Sequence, residues 1–303
     1  MIQIENLWKM FGSHTAVRDL TLTVPEGSAY ALIGANGAGK TTTIKIILNI
    51  LAQTRGTVQV MGIDSRKISP REFQSIGYLS ENQELPERLT VEEYFNYLRP
   101  FYSRWDRQLE SSLRLQLKLP DARKICALSH GMRMKMALAC ALSFHPRLLI
   151  MDEPFNGLDP LVRDELMDGL LGQAGDITIL ISSHELNEIE GIATHIAFVD
   201  EGKLLFDEPK DDLSSRFRAV RIVFDRPAPS HVDASEEWIH LRTEGTILEF
   251  VHTNYPGADF HESLRAKFIG IRTIDAEPMP LRSIFTALAR QKRDMVEAGG
   301  GES

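Results

Sequence analysis

The stretch GANGAGKTT, residues 34 to 42, has the residue types needed to hold a chain of phosphate groups. Its glycines permit backbone angles and close approaches that a side chain would block, so successive N–H groups can point at one anion. The spacing matches G-x-x-x-x-G-K-[ST], in which the lysine reaches the β- and γ-phosphates of a nucleotide and the next hydroxyl coordinates Mg²⁺. We therefore predict Thr41 as a metal ligand and the following nucleotide-binding residues: Gly34, Asn36, Gly37, Ala38, Gly39, Lys40, Thr41 and Thr42.

Two adjacent acids, Asp152 and Glu153, supply groups that a phosphate-binding loop lacks. They follow the apolar run 148–151, which is typical of a central strand in a parallel sheet, and open α/β sheets bind ligands at the carboxyl ends of such strands. Asp152 would hold Mg²⁺, either directly or through water. Glu153 would act as a general base or would position the attacking water, because phosphoryl transfer depends mainly on placement and charge compensation.

A histidine follows the next apolar run in the same way. The run ITILIS predicts another buried strand, and His184 comes at its end, before the segment ELNEIEGI, for which we predict a helix. An imidazole at this edge of a sheet can donate a hydrogen bond to a γ-phosphate. The predicted catalytic residues are therefore Glu153, His184 and Lys40.

The segment ALSHGMRMKMALACAL, which begins at residue 127, predicts a second site for an anion. Its helix is apolar nearly all round, interrupted only by Arg133 and Lys135, so we expect it to be buried. Ser129 suits the N-cap position, and the free N–H groups and positive dipole end near Ser129 and Gly131 favour an anion. Taken alone, however, a capped core helix without a ligand explains this segment better.

The segments around these residues indicate an α/β fold in a reduced, cytosolic setting. SAYALIG before the glycine-rich loop predicts a short buried strand, and TTTIKIILNIL after it has apolar residues at helical spacing. The chain has 303 residues, a net charge of −8 and two cysteines without metal-binding spacing. The acidic balance argues against a nucleic-acid partner. The N-terminus lacks the layout of a signal peptide, and no apolar run approaches the ~20 residues of a membrane-spanning helix.

The order GANGAGKT, LSHGM, LLIMDEP, NGLD and SSH resembles the nucleotide-binding subunit of an ATP-binding cassette (ABC) transporter, over roughly residues 2 to 215. The segment LSHGM and its short distance to LLIMDEP separate this family from other P-loop ATPases. The resemblance implies a P-loop NTPase cassette with a RecA-like core, an antiparallel β subdomain and a helical subdomain at about 85–145. It also implies a head-to-tail dimer that encloses two ATP molecules, each between the P-loop of one subunit and Ser129 and Gly131 of the other.

Further site residues follow from the resemblance, motif by motif. Phe11 matches the aromatic residue that stacks on adenine, and Asp159 in NGLD matches the residue that communicates across the dimer. Glu81 stands where the family usually has a glutamine that approaches Mg²⁺ and senses the membrane partner, so Glu81 is assigned to both the nucleotide and the metal; nearby Gln83 leaves that role open. His130 replaces the usual glycine of the signature, and two orientations, towards the partner's ATP or towards solvent, remain open.

Two regions lie outside these motifs. The aromatic-rich stretch from residue 84 to 119 is helical in pattern and resembles the subdomain that docks onto a transmembrane subunit. Exposure for docking and packing inside that subdomain both remain open for four of its aromatic residues: Tyr94, Phe95, Tyr97 and Trp105.

Beyond the cassette, residues 216–292 predict a small α+β domain. RAVRIVF, WIHLR and TILEFVH alternate like strands, whereas FHESLRAKF and LRSIFTALARQKR have a helical pattern. This domain could steady the dimer, bind a regulator or cover the cassette. Residues 293–303 are expected to form a flexible tail.

The predicted function is that of the ATP-binding and ATP-hydrolysing subunit of a membrane ABC transporter, of the bacterial exporter type. The implied cofactors are ATP and Mg²⁺. The implied partners are a transmembrane permease subunit, which would hold the chain at the inner face of the cell membrane, and a second copy or a paralogous ATPase subunit. The alternative is a soluble ABC-type ATPase that acts on ribosomes, DNA or cluster assembly. A P-loop kinase or small GTPase would leave LSHGM and NGLD without a purpose.

Overall fold

The computed structural model describes residues 1–172, 177–229, 231–257 and 259–299. The chain divides into two compact units, Met1–Glu208 and Pro209–Ser303. The boundary expected near residue 215 falls inside the helix Lys210–Arg216, which belongs to the second unit.

The first unit is an α/β structure, as the sequence predicted. Its strands are β1 (Ile2–Phe11), β2 (His14–Val24), β3 (Ala29–Ile33), β4 (Arg55–Val60), β5 (Ile63–Asp64), β6 (Ile76–Ser80), β7 (Leu148–Asp152), β8 (Thr178–Ser183), β9 (His195–Asp200) and β10 (Lys203–Pro209). Its α-helices within the described residues are α1 (Lys40–Ile47), α2 (Pro70–Phe73), α3 (Val91–Leu98), α4 (Arg107–Gln116), α5 (His130–Leu142) and α6 (Pro160–Leu171).

The larger sheet has the strand order β10-β9-β3-β8-β7-β6 over the part of the chain that is described. Strands β9, β3, β8, β7 and β6 run parallel, and β7 and β3 are almost entirely buried, as expected for apolar runs covered on both faces. Asp152 at the end of β7 is in register with Ser80 on one side and Ser182 on the other. The carboxyl ends of these strands therefore form one polar edge beside the loop that follows β3.

The smaller sheet is antiparallel, with the order β2-β1-β4-β5. Phe11 and His14 face each other where β1 turns into β2. One hydrophobic cluster, which includes Ile4, Tyr30 and Ile150, joins residues of both sheets and of α1. This shared core fixes the hairpin of Phe11 relative to the glycine-rich loop.

Helices α3 to α5 form the segment expected to be a helical subdomain. Tyr94 and Phe95 are buried in it, whereas Tyr97 is 57% exposed and its ring packs edge-on against Phe101. Trp105 donates a hydrogen bond from its indole nitrogen to a carboxylate oxygen of Glu110, at 2.9 Å. Burial, or a hydrogen bond inside this segment, therefore accounts for three of the four aromatic residues considered above, and Tyr97 is the one left on the surface.

The second unit is a four-stranded antiparallel sheet with helices, within the described residues. Its elements are α7 (Lys210–Arg216), β11 (Arg218–Phe224), β12 (Trp238–Glu244), β13 (Ile247–His252), α8 (Phe260–Lys267), β14 (Ile271–Pro278) and α9 (Leu281–Gly299). The strand order is β12-β13-β11-β14, and apolar residues of the sheet pack with Phe260 and Leu264 of α8.

Two features of this unit differ from the sequence-based expectation. Strand β14 was not expected, because its exposed polar residues hide the alternation of a strand; pairing along the whole of β11 forms it nevertheless. Helix α9 continues to Gly299, so the segment 293–299, expected to be a tail, is helical. The remaining four residues of that expected tail, 300–303, lie outside the described residues.

Candidate nucleotide-binding site

The glycine-rich loop passes from β3 into α1 through two close approaches of the backbone. Gly39, at the N-cap of α1, has φ +98°, and a Cβ built on it would lie 2.5 Å from the carbonyl oxygen of Ala16. A Cβ on Gly34 would lie 2.2 Å from the carbonyl oxygen of Val199. Side chains are excluded at both positions, so the backbone N–H groups of the loop stay accessible to an anion at the N-terminus of α1.

Lys40 lies under this loop and is 5% exposed. Its Nζ donates a hydrogen bond to the carbonyl oxygen of Gly34 at 2.6 Å and lies 3.0 Å from Oε1 of Glu153. The other carboxylate oxygen of Glu153, Oε2, lies 2.8 Å from Nδ1 of His184 and accepts the backbone N–H of His184 at 3.3 Å. The three predicted catalytic residues thus form one connected group, with Glu153 in the centre.

Asp152 is bound next to this group. Its Oδ1 accepts hydrogen bonds from the Thr41 hydroxyl at 3.0 Å and from the Ser182 hydroxyl at 2.6 Å. The Asp152 carboxylate and the Thr41 hydroxyl can therefore ligate one cation together.

This pair of oxygen ligands fits Mg²⁺. Mg²⁺ prefers oxygen donors and is commonly held by one or two protein groups together with the phosphates of a substrate. Within the described residues, no group of three or more histidine, cysteine or acidic side chains is arranged to hold a metal alone. Asp152 and Thr41 therefore leave most of the coordination sphere of such a cation to other ligands.

A cleft of about 460 Å³ lies over the loop and contains most of the predicted nucleotide-binding residues. Its size suits a small-molecule ligand. The predicted residues that line it are Phe11, Asn36, Gly37, Gly39, Lys40, Thr41, Thr42, Glu81 and Glu153. The lining also includes His14, Ala16 and Asn156, which the sequence motifs did not single out.

Phe11 is 49% exposed at the cleft, and Nζ of Lys9 lies 4.8 Å from the centre of its ring. A cation over an aromatic face is attracted by the ring quadrupole. Lys9 therefore holds the ring from one side, although nothing in the motif pointed to a lysine at this position.

Ser129, Gly131 and Asp159 are not among the residues that line this cleft. Ser129 caps α5, as predicted, by accepting the backbone N–H of Met132 at 3.3 Å. Asp159 caps α6 by accepting the N–H of Val162 at 3.0 Å. Within one chain, the Ser129 and Asp159 side chains therefore act as helix caps.

The signature segment is tightly packed against the start of α6. A Cβ on Gly131 would lie 2.8 Å from Cγ1 of Val162, so this glycine leaves room for the neighbouring helix. Nε2 of His130 is hydrogen-bonded to the carbonyl oxygen of Asn156 at 3.2 Å. His130 thus touches the loop that follows Glu153.

Glu81 borders two clefts. Besides the nucleotide cleft, it lines a second cavity of about 480 Å³ together with Gln83, Glu84, Glu87 and other residues. Within these two linings, Gln83 belongs only to the second one. This placement favours Glu81 over Gln83 as the residue that faces a nucleotide.

The prediction of a helix after His184 is wrong. The segment forms only a 3₁₀ turn, Leu186–Glu188. The Ser183 hydroxyl accepts the N–H of Glu185 at 2.9 Å and donates to a carboxylate oxygen of Glu188 at 2.8 Å. These local bonds compete with a helical start, as serine side chains often do.

The chain is similar to proteins of one family. A family model described as ABC transporter matches residues 17–156. The chain is similar to the lantibiotic transport ATP-binding protein SrtF of Streptococcus pyogenes, with 34% identity over 213 residues, 70% of this chain and 92% of that protein. It is also similar to the bacitracin transport ATP-binding protein BcrA of Enterococcus faecalis, with 35% identity over 222 residues, 72% of each chain.

A solved structure of an ATP-binding subunit of an ABC transporter has the same fold over much of this chain. It matches with a TM-score of 0.64 and 28% identity, over 71% of this chain and 92% of that one. In the residues that the structure describes, no helix is both long and apolar enough to cross a membrane. The glycine-rich loop, the acid pair, the signature segment and these relatives lead to one assignment: the chain belongs to the ATP-binding proteins of the ABC transporter family.

Proposed function

We propose that this chain is the ATPase subunit of an export-type ABC transporter and that it works as one half of a head-to-tail dimer. The observation that carries the proposal is the connected group Lys40–Glu153–His184 beside the phosphate-binding loop. Export as the direction of transport is supported by the similarity to proteins named for bacitracin and lantibiotic transport.

Each residue of this group has a role in hydrolysis that follows from its position. When ATP binds, the Lys40 ammonium group would leave its ion pair with Glu153 and pair with the phosphates, because the phosphates carry more negative charge. Glu153, released from that pair, accepts the proton of the attacking water, and the oxygen of that water forms the new bond to the γ-phosphorus. The bond between the γ-phosphorus and the bridging oxygen breaks, which leaves ADP and inorganic phosphate. His184, held by Glu153 through Nδ1, has its other ring nitrogen free for a γ-phosphate oxygen, to which it donates when both ring nitrogens carry a proton.

Mg²⁺ would be held by Asp152 and Thr41, with Glu81 at the rim of the cleft, and when bound it neutralises charge on the phosphate oxygens. Phe11 would stack on adenine, and the loop 34–42 would bind the phosphates.

In the dimer, each nucleotide cleft would gain the N-terminus of helix α5 from the partner. Ser129 and Gly131 begin a 13-residue helix whose N-terminus favours an anion, yet they do not line the cleft of their own chain. A second copy, or a paralogous subunit, placed head to tail would bring this helix to the γ-phosphate of the first. Asp159, which caps the helix α6 against which Gly131 packs, would contact the partner.

The dimer is tested with the Glu153→Gln variant, which should bind ATP without cleaving it. Light scattering after gel filtration should find a dimer with Mg²⁺ and ATP and a monomer without nucleotide. Lys40→Ala in the same background is the control and should stay monomeric, because it removes the main phosphate ligand. A Glu153→Gln protein that binds ATP but stays monomeric contradicts the proposed dimer.

The transporter assignment is tested by identifying the proteins that co-purify with the chain from cells. A tagged chain purified from detergent-extracted membranes should bring down an integral membrane protein, the permease that would hold it at the inner face of the cell membrane. Recovery with ribosomes, DNA or a cluster-assembly complex, and without a membrane protein, supports the alternative of an ABC-type ATPase outside transport.

A further inference from the structure

The buried hydroxyl of Ser182 joins the two acids of the site. Ser182 is the last but one residue of β8 and has no exposed surface. Its Oγ donates to Oδ1 of Asp152 at 2.6 Å and accepts the backbone N–H of Glu153 at 3.0 Å. A hydroxyl has a single proton, and a backbone N–H can only donate, so these two bonds fix each other's direction.

The backbone of Glu153 needs such a bond. Its φ is +51°, in the left-handed region, which costs a residue with a side chain about 1–2 kcal/mol. In this conformation the chain leaves β7 sharply, and the Glu153 carboxylate lies between Lys40 and His184. The N–H of Glu153 is held by Ser182 alone, through Oγ at 3.0 Å and through the carbonyl oxygen at 3.2 Å, among the bonds found in the described residues.

The carboxylate of Asp152 needs the same hydroxyl for a different reason. Oδ1 is shared by Ser182 and Thr41, while Asp152 itself is 4% exposed. A buried carboxylate without donors pays a large desolvation cost. The bond from Ser182 is shorter than the one from Thr41, and it comes from a strand in the middle of the sheet, so it fixes the plane of the carboxylate whatever Thr41 binds.

We propose that Ser182 is a positioning residue for ATP hydrolysis, which sets Asp152 towards the metal and Glu153 towards the water through one hydroxyl. This inference rests on the proposed ATPase mechanism and gives a role to a serine of SSH, the motif from which the sequence assigned a role only to His184. Ser182 touches neither substrate nor metal, so its removal should change the rate and the use of Mg²⁺ more than the binding of ATP.

The test compares the full-length wild type with Ser182→Ala, Ser182→Thr and Thr178→Val. Thr178 is the matched control, since it is a buried hydroxyl on the same strand, roughly 13 Å away along the chain, and accepts the N–H of Gly27 at 2.8 Å. We expect Ser182→Ala to lower kcat at least about tenfold with KM for ATP within about threefold, since small misplacements of reacting groups cost up to 10²-fold. Ser182→Thr, which keeps the hydroxyl, should recover most of kcat, and Thr178→Val should not lower it.

A second readout does not need hydrolysis. ATP affinity is measured by titration in EDTA and again in Mg²⁺. Ser182→Ala should bind ATP as the wild type does in EDTA but should gain less affinity from Mg²⁺. If the wild type fails to hydrolyse ATP, the proposed function fails, and this binding comparison still decides the role of Ser182.

Three results would overturn the proposal. They are a wild-type kcat in Ser182→Ala, an equal loss of kcat in Thr178→Val, and a Ser182→Thr protein as slow as Ser182→Ala. Should Ser182→Ala not fold, as judged by circular dichroism and thermal melting, Ser182→Cys replaces it, because the thiol fills the space but donates weakly. A folded Ser182→Cys protein with reduced kcat then supports the proposal, and one with wild-type kcat overturns it.

Discussion

Nζ of Lys40 and Oε1 of Glu153 lie 3.0 Å apart, so the cation that would bind phosphate and the acid that would accept a proton are partners in the same ion pair. Both side chains are largely buried, at 5% and 12% exposure. Binding of a phosphate and release of the base are therefore coupled through one lysine.

The first prediction concerns the base. Glu153→Gln should lower kcat by about 10²–10⁴-fold, the usual contribution of a positioned general base, while ATP affinity stays within a few-fold. Phosphate release from ATP measures kcat, and titration with a fluorescent ATP analogue measures affinity. Glu92→Gln, on an exposed surface of α3, is the control and should behave as the wild type. A Glu153→Gln enzyme with more than a tenth of the wild-type kcat would remove Glu153 from the catalytic role.

The second prediction concerns the ring beside the cleft. Phe11→Ala should weaken ATP binding by up to about tenfold, because stacking of aromatic rings contributes ~0.5–1.5 kcal/mol. Lys9→Met should weaken binding by about two- to fivefold, the worth of an exposed cation–π contact, since Lys9 lies over the same ring. In the double variant the effect of Lys9→Met should vanish. If Lys9→Met weakens ATP binding as much in the Phe11→Ala background as in the wild type, Lys9 acts on the nucleotide by another route.

The third prediction separates two reasons for glycine in the loop. Gly39 and Gly37 both have positive φ, but a Cβ on Gly39 would collide with the carbonyl oxygen of Ala16, whereas a Cβ on Gly37 would meet no atom within 4 Å. Gly39→Ala should therefore abolish measurable ATP binding. Gly37→Ala carries only the cost of its backbone angle, about 1–2 kcal/mol, and should retain weakened binding. Equal binding by the two variants, measured by titration, would contradict the role of the close approach.

The fourth prediction concerns the fold of the helical segment. The Glu110 carboxylate is 1% exposed and accepts hydrogen bonds from three side chains: Arg99, Trp105 and Arg114. Glu110→Ala removes the acceptor that these donors share, although Arg114 keeps Asp121, and removal of one member of a buried ion pair costs about 3–5 kcal/mol. Urea unfolding should show a loss of this order. The control, Glu92→Ala on the exposed face of α3, should change the free energy of unfolding by less than about 1 kcal/mol.

The fifth prediction concerns pH. His252 is buried in the second unit, and this burial lowers the pKa of its imidazole from 6.5, although Glu237 acts in the opposite direction. Its Nδ1 accepts the N–H of Asn254 at 3.1 Å, which requires an unprotonated nitrogen. The unfolded chain takes up a proton near pH 6.5 and the folded chain only at lower pH, so the unfolded state binds more protons in that range.

Acidification should therefore destabilise the wild type from about pH 6.5 downwards, until the pH reaches the pKa of the folded state. His252→Gln cannot take up this proton and can still accept the bond from Asn254. The difference in melting temperature between the two proteins should shift in favour of His252→Gln as the pH falls from 7.5 to 5. A difference that does not change with pH would show that His252 does not titrate between the two states.

The parts of the site that lie within one short segment could be predicted from the sequence. The loop 34–42, the acids Asp152 and Glu153 and the cap at Ser129 depend on neighbouring residues, and their patterns are visible in the chain. The motif SSH includes Ser182, but the role of this serine could not be found in this way. Its relation to Asp152 comes from the register of β7 and β8, thirty residues apart, and a serine in an apolar strand carries no local signal.

The same holds for the fold: elements that depend on neighbouring residues could be predicted, and elements that depend on distant residues could not. Apolar runs placed the parallel strands β3, β7 and β8 correctly. Strand β14 was missed because pairing with β11 overrides its polar composition, and the helix expected after His184 was lost to the side-chain bonds of Ser183. Both errors arise where a partner distant in sequence, or a single hydroxyl, outweighs the periodicity of the segment.

The contact between Gly131 and Val162 bears on how related sequences should be compared. Because a Cβ at residue 131 would press on the side chain at residue 162, substitution of the glycine requires a smaller residue on the neighbouring helix, and the two positions should covary in evolution. A glycine here would also be kept by a homologue whose own ATPase had decayed. Its presence alone is therefore no proof of a working enzyme.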